Sequence, residues 1–161
     1  DAELTIILKK AGMSMVKVGI ESVDEDVLKS SKRKSISIDS QMEKIRTIEK
    51  LNIQVVTMYI IGMIGDTKQT VKNTIKYAKK LNTYISQFSI FTPYPGTPVY
   101  KEYRDKINLH KYEDFNQYNL VFNHPSFDNK SARSLLDKAY ENYYLRPRWI
   151  IKFIISNIRN I

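Results

Sequence analysis

The chain has 161 residues, 42% of them hydrophobic, a formal net charge of +9 and no cysteine. That length holds one domain with a real core but is short for a complete (β/α)-barrel enzyme. The missing thiols exclude disulfides, thiolate metal sites and cysteine nucleophiles within these residues, and the apolar fraction excludes disorder.

Much of the positive charge is lysine spread along expected solvent faces, which reads first as base-composition bias and only second as a sign of an anionic partner. No signal peptide or long apolar span is visible. The expected location is cytoplasmic, with peripheral membrane association as a secondary option. Asp1 stands in a helix-like pattern (Ala2, Leu4, Ile7, Leu8) with no initiator methionine, and the expectation is an excised segment.

Three short apolar, β-branched runs read as buried strands: Met15 to Ile20, Gln54 to Ile61, and Ile85 to Phe91. Between them lie two segments of helical period. One carries Met42, Ile45, Ile48 and Leu51. The other carries Val71, Ile75, Ala78 and Leu81, with Lys68, Lys72, Lys76 and Lys80 turned to solvent. Asp39 and Ser40 read as the cap of the first helix. Asp66, with Gln69 three residues on, reads as the cap of the second. Asn52 and Asn82 follow the two helices, where a left-handed residue is tolerated. This alternation means right-handed crossovers and a parallel sheet.

After Phe91 the pattern changes. Pro93, Pro95, Gly96 and Pro98 make a rigid loop, followed by an aromatic stretch with Tyr100, Tyr103, Tyr112, Phe115, Tyr118 and Phe122. A helix is expected from Ser131 to Leu145, with Leu135, Leu136, Ala139 and Tyr143 on one side, and a last helix from Pro147 to Ile158. Three zones follow: a half barrel over 1–100, a turn-rich aromatic connection over 101–130 and a helical extension over 131–161. Three parallel strands do not close a barrel, so missing material is expected on the N-terminal side.

In parallel α/β sheets, ligands bind at the C-terminal strand ends. Those ends read Gly19-Ile20-Glu21-Ser22, then Gly62-Met63-Ile64-Gly65-Asp66, then Thr92-Pro93-Tyr94-Pro95-Gly96-Thr97-Pro98. Glu21 and Ser22 suit ligand hydroxyls and an ammonium group, or equally helix caps. Gly62 and Gly65 suit close approach of a planar ligand, or plain turn geometry. His110 and His124 read as surface or turn histidines before they read as a metal pair.

The segment Val18-Gly19-Ile20-Glu21-Ser22 with Lys32-Arg33-Lys34-Ser35-Ile36-Ser37 resembles the fourth-strand region of radical S-adenosylmethionine (SAM) enzymes. Ile60-Ile61-Gly62-Met63-Ile64-Gly65-Asp66-Thr67 resembles their fifth-strand glycine motif. Phe88 to Tyr100 is similar to the sixth strand of the branch that carries an N-terminal cobalamin-binding domain. Ile64, Asp66 and Val23 depart from the Pro, Glu and Gly that the family commonly has there.

The resemblance implies an α/β fold: the C-terminal half of a partial (β/α)6 radical SAM barrel, followed by a mostly helical tail. It implies SAM binding by Glu21 and Ser22 (ribose and methionine), by Ile61, Gly62 and Gly65 (near adenine), and by Phe91 and Thr92 (adenine, through the backbone). It assigns no catalytic residue and no metal ligand to this chain. A [4Fe–4S] cluster, and in that branch cobalamin, belong to the complete enzyme and are expected to be held by absent N-terminal partners: a cluster-binding half and a cobalamin-binding domain. The isolated chain is expected to be inactive. The other reading is a non-catalytic half-barrel module with a basic surface, for which nucleic acid is the weaker partner. Residues 147–161 suit a membrane surface or docking onto an absent domain.

Overall fold

A computed structural model describes residues 2–33 and 36–158; Lys34 and Ser35 of the basic stretch lie outside the described residues. The elements in chain order are α1 (Ala2–Lys10), β1 (Met15–Glu21), α2 (Glu25–Ser30), α3 (Ile38–Lys50), β2 (Gln54–Ile61), α4 (Lys68–Leu81), β3 (Ile85–Ile90), α5 (Pro98–Tyr103), α6 (Asn129–Tyr144) and α7 (Pro147–Ile158). The strands form one parallel sheet in the order β1-β2-β3. The architecture is the α/β half barrel with a helical tail.

Strand periodicity divides the sheet into two unlike faces. Val55, Tyr59 and Ile61 of β2 share a face with Phe88 and Ile90 of β3, in register Tyr59↔Phe88 and Ile61↔Ile90. They are buried with Ile45 of α3, Val71, Ile75 and Ala78 of α4, and Leu136, Ala139 and Tyr143 of α6 in one continuous core. Thr57, Thr83, Ser86 and Tyr143 join their hydroxyls inside this layer, so these four buried groups are paired, whereas the buried Tyr59 hydroxyl has no hydrogen-bond partner among the described residues. The opposite face carries the rows Lys17–Val56–Ile85 and Gly19–Met58–Gln87. Lys17, Gly19 and Gln87 are exposed there, and Met58, Ile60, Ile85 and Ser89 half-buried. No helix covers it. It is the concave side of an open barrel.

Local chemistry corrects several sequence expectations. Ser37, not Asp39 or Ser40, caps α3: its hydroxyl accepts from the Ser40 N–H. Thr67 caps α4, in a capping box with Thr70 that leaves Gln69 out. Asp66 instead closes the preceding turn. Asn52 and Asn82 do take left-handed φ of 54° and 50°. β1 continues to Glu21 and β3 stops at Ile90. Helix α2, capped by the Asp24 carboxylate, was not anticipated. Helix α6 begins at Asn129, because Asp128 accepts from Ser131 N–H.

The aromatic stretch splits by burial. Tyr103, Phe115 and Phe122 join the core, whereas Tyr112 and Tyr118 are exposed. His124, expected at the surface or in an open turn, is buried. Its Nδ1 accepts from Ser126 N–H and its Nε2 faces Met63 O at 3.1 Å. Only the Nε2–H tautomer satisfies both, and burial pulls the imidazole pKa down. Both nitrogens are spent on the backbone. Among the described residues, no group of His, Asp and Glu is arranged to hold a metal ion, and no helix is long and apolar enough to cross a membrane.

Candidate functional site

The three parallel strands end side by side. β1 finishes in a bulge, where the register slips between Gly19 and Glu21, and Glu21 takes a left-handed φ of 65°. That conformation is costly for a residue with a side chain. The turn also folds the Glu21 carboxylate back over Gly19, where an added Cβ would meet Oε1 at 2.5 Å. Glu21 is buried and pairs with Arg33 Nη1 at 2.9 Å. Burial raises its carboxyl pKa, and the guanidinium counteracts that. The pair borders a cavity of about 310 Å³ with Ile20, Leu28, Ile36 and Gln41.

Ser22 is turned the other way. It is buried, its Oγ accepts from Asp24 N–H and lies 3.5 Å from Thr74 Oγ1 on α4. The side chain ties the β1–α2 turn to the helical layer, and only its backbone faces the strand ends.

β2 ends in a turn built on Gly62 and Gly65, with φ of 79° and 84°. Both lie in the region that favours glycine. Asp66 locks the turn: Oδ2 accepts from Gly62 and Met63 N–H at 3.0 and 3.1 Å, and Oδ1 from the Thr70 hydroxyl at 2.6 Å. Burial nevertheless pushes its pKa up to about 6, against the pull of those bonds. The aromatic connection lies over this turn. Leu120 Cδ1 would stand 3.4 Å from a Cβ at Gly62, and His124 holds the Met63 carbonyl.

Ile61 keeps its side chain in the core while its carbonyl accepts from Phe91 N–H at 2.8 Å. That bond carries the sheet one residue past β3. The half-buried Phe91 ring packs edge-on against Tyr103 and Phe122. Thr92 Oγ1 donates to Ile90 O. Beyond it, Thr97 caps α5 and Pro98 occupies the first turn.

The structure thus brings Glu21, Gly62, Gly65, Phe91 and Thr92 to one rim, with Ile61 and Ser22 contributing main chain. Sequence reasoning missed Gly19 as the seat of the Glu21 carboxylate, Leu120 and His124 as the cover of the glycine turn, and Lys17, Met58 and Gln87 on the concave face. Strand alternation alone would have found the last group. A larger cavity of about 550 Å³ lies at the opposite end of the strands, between Asn52, Gln54, Tyr84 and Lys152. Strand polarity favours the smaller one as the ligand end.

A parallel βα sheet with an open concave face is part of a (β/α) barrel, and the glycine turns and buried acid stand at the strand ends where such folds bind ligands. The sequence model of the radical SAM superfamily matches residues 1–78. The chain is 34% identical to an uncharacterized methyltransferase of Pyrococcus horikoshii over 93% of this chain and 33% of that protein. It is 28% identical to the anaerobic magnesium-protoporphyrin IX monomethyl ester cyclase of Cereibacter sphaeroides, over 89% of this chain and 23% of that one. The fold matches the radical SAM methyltransferase TsrM of Kitasatospora setae with a TM-score of 0.64 at 17% identity, covering 92% of this chain and 34% of TsrM. The chain therefore spans between 23% and 34% of the length of these relatives.

Proposed function

We propose that this chain supplies the SAM-binding strand ends of a radical SAM enzyme, a cobalamin-dependent methyltransferase or a related C–H-functionalising enzyme. The observation that carries the reading is the shared rim: three parallel strand ends place Glu21, the Gly62–Gly65 turn and the Phe91–Thr92 backbone side by side, above a concave face that no helix covers. TsrM, described with cobalamin and a [4Fe–4S] cluster bound, supports the cobalamin branch.

The rim fits an adenosyl-amino-acid ligand. Gly62 and Gly65 add no side chain of their own to the turn, with Leu120 beside Gly62 and Ser30 beside Gly65. The Phe91 carbonyl and Thr92 main chain stand next to it, while Phe91 N–H is spent on Ile61 O. Glu21 presents an acceptor for a hydroxyl or ammonium group, with Ser22 holding its turn and Ile61 contributing main chain. The Arg33 guanidinium offsets part of the rise that burial imposes on the Glu21 carboxyl pKa, and ligand entry re-partners the pair. In the family, SAM held at a [4Fe–4S] cluster supplies a 5′-deoxyadenosyl radical. Cluster ligation needs thiolates, and this chain has none. Its part is to bind and orient the nucleoside, and the reactive half is contributed by other residues. The isolated chain therefore performs no SAM cleavage.

Amide NMR titration with SAM tests the site. The expected result is shifts at Glu21, Gly62, Gly65, Phe91 and Thr92, abolished by Gly62→Val. Shifts confined to Asn52, Gln54 and Tyr84, or none at millimolar SAM, would sink the assignment.

A further inference from the structure

We propose that α7 is a membrane-surface helix that seats this end of the molecule on an anionic bilayer. The argument starts from how α7 is oriented. Trp149, Lys152, Phe153 and Ser156 recur at helical spacing on its inner side. Trp149 Nε1–H donates to Tyr84 O, Phe153 stacks on Tyr84, and Lys152 Nζ–H donates to Glu49 Oε1 at 2.7 Å and to Asn82 O. The middle of the outer side is aliphatic: Ile150, Ile151, Ile154, Ile155 and Ile158 are 42%, 57%, 51%, 46% and 66% exposed, with the exposed Arg148 and Asn157 at its flanks. A soluble surface helix has the reverse arrangement, with apolar residues inward and charge outward. Here the lysine is inside and five isoleucines are outside.

The surroundings select the occupant. In a parallel βα unit, the crossover helices finish at the end where the strands begin, and each finishes in lysine: Lys9 and Lys10 on α1, Lys50 on α3, Lys79 and Lys80 on α4. α7 lies across that end. Arg146 donates to Lys79 O and Asn82 Oδ1, and Lys152 reaches the last turn of α3. Lys9 donates to Asn52 O, beside the cavity that Lys152 and Ser156 also line. Arg148 adds an exposed cation on α7 itself. Glu49 is the acid embedded there, and Arg46 and Lys152 both pair with it. Glu141 stands one turn before the end of α6.

An aliphatic stripe flanked by Arg148, at the same end of the sheet as the lysine-bearing last turns of α1, α3 and α4, matches an acyl layer bordered by anionic headgroups. Over its described residues the helix is too short to span, so we place it in the interface. This seating uses the end of the sheet opposite the SAM rim and leaves the rim facing the aqueous phase. It stands or falls independently of the SAM reading.

Vesicle co-sedimentation of the 161-residue chain tests it, with phosphatidylcholine vesicles and phosphatidylcholine–phosphatidylglycerol vesicles at low and high salt. The chain is expected to pellet with the anionic vesicles only, and to be released by salt. Ile154→Gln/Ile155→Gln should weaken partition by about tenfold or more, through lost apolar insertion. Lys79→Gln/Lys80→Gln should weaken it less and flatten its salt dependence. Thermal unfolding of each variant checks that the fold is kept. Equal binding to neutral vesicles, no binding to either, or an isoleucine variant that binds as the parent does would each overturn the proposal. So would a dimer in sedimentation velocity that the isoleucine variant dissolves, since a second copy would then cover the stripe.

Discussion

At the β3 edge of the sheet, Tyr144 donates to Ser86 O and accepts from Ser86 N–H, at 2.8 and 3.1 Å. Tyr140, one turn earlier on α6, does the same for Phe88, at 2.8 and 3.2 Å. Ile90 N–H is taken by Gln117 O. At the β1 edge, by contrast, β2 is the only neighbouring strand among the described residues. Gln54 N–H bonds Ser14 O, so the even-numbered residues of β1 face β2, and the main chain of Met15, Lys17 and Gly19 points to the open side. One edge is finished with side chains at the spacing where a further strand would bond. The other still offers a parallel ladder. Two tyrosines at i and i+4 on a helix meet residues at i and i+2 on a strand, because about 6 Å of rise separates both pairs. The half barrel therefore has a definite last strand, and growth is directed to the β1 side.

The largest expected effect comes from undoing the closed edge. Tyr140→Phe/Tyr144→Phe removes four hydrogen bonds, at a net cost of roughly 1 kcal/mol each. Urea unfolding should show a loss of about 3–4 kcal/mol, and the bared ladder should raise self-association in sedimentation experiments. A loss below about 1 kcal/mol with no association would mean that the tyrosines cap nothing that matters.

At the end of the central strand, between the two edges, Asp66 has its pKa raised from the usual 3.8 to about 6. The folded state binds this proton more tightly than the unfolded state, so the stability linked to it is full below pH 3.8 and is lost as pH rises through about 6. The shift corresponds to about 3 kcal/mol across that window. Asp66→Asn can keep the N–H acceptor and offer its amide to Thr70. Its stability relative to the parent should climb by up to that amount as pH rises from below 3.8 to above 6, read by thermal melts across pH. A parallel offset between the two curves would contradict it.

The smallest effect belongs to the open edge. Lys17→Val should change stability by less than about 0.5 kcal/mol, because the side chain is exposed on the uncovered face. It should nonetheless increase aggregation on concentration, since an inward-facing lysine on an edge strand opposes edge-to-edge pairing. Light scattering reads the difference. If Lys17→Val aggregated no more than the parent while the tyrosine pair variant did, the asymmetry between the edges would need another cause.

Where a signal is local, the sequence carried it. Strand β2 and helix α7 have the bounds that periodicity predicts, and the stripe Val71, Ile75, Ala78 and Leu81 is the buried side of α4. Caps were harder. Ser37, Asp39 and Ser40 are all capable N-caps within four positions, and only the backbone angle at Ser37 selects among them. For the candidate site, the three strand-end motifs marked the rim, yet their composition did not say which side chains face it. Glu21 faces it because a bulge turns it there, and Ser22, the next residue, is spent on Asp24 and Thr74.

By itself, then, the sequence determined the half barrel, the direction of its strands, the family and the lack of any cluster ligand, since each rests on short-range periodicity or on residue type alone. The tertiary structure decided what depends on partners far away in the chain. Tyr140 and Tyr144 became edge caps through Phe88 and Ser86, His124 a buried brace through Met63, and α7 an inverted helix through Glu49 and Tyr84. An apolar helix has no inside until something packs against it, and a tyrosine hydroxyl has no role until a strand edge comes within hydrogen-bond reach.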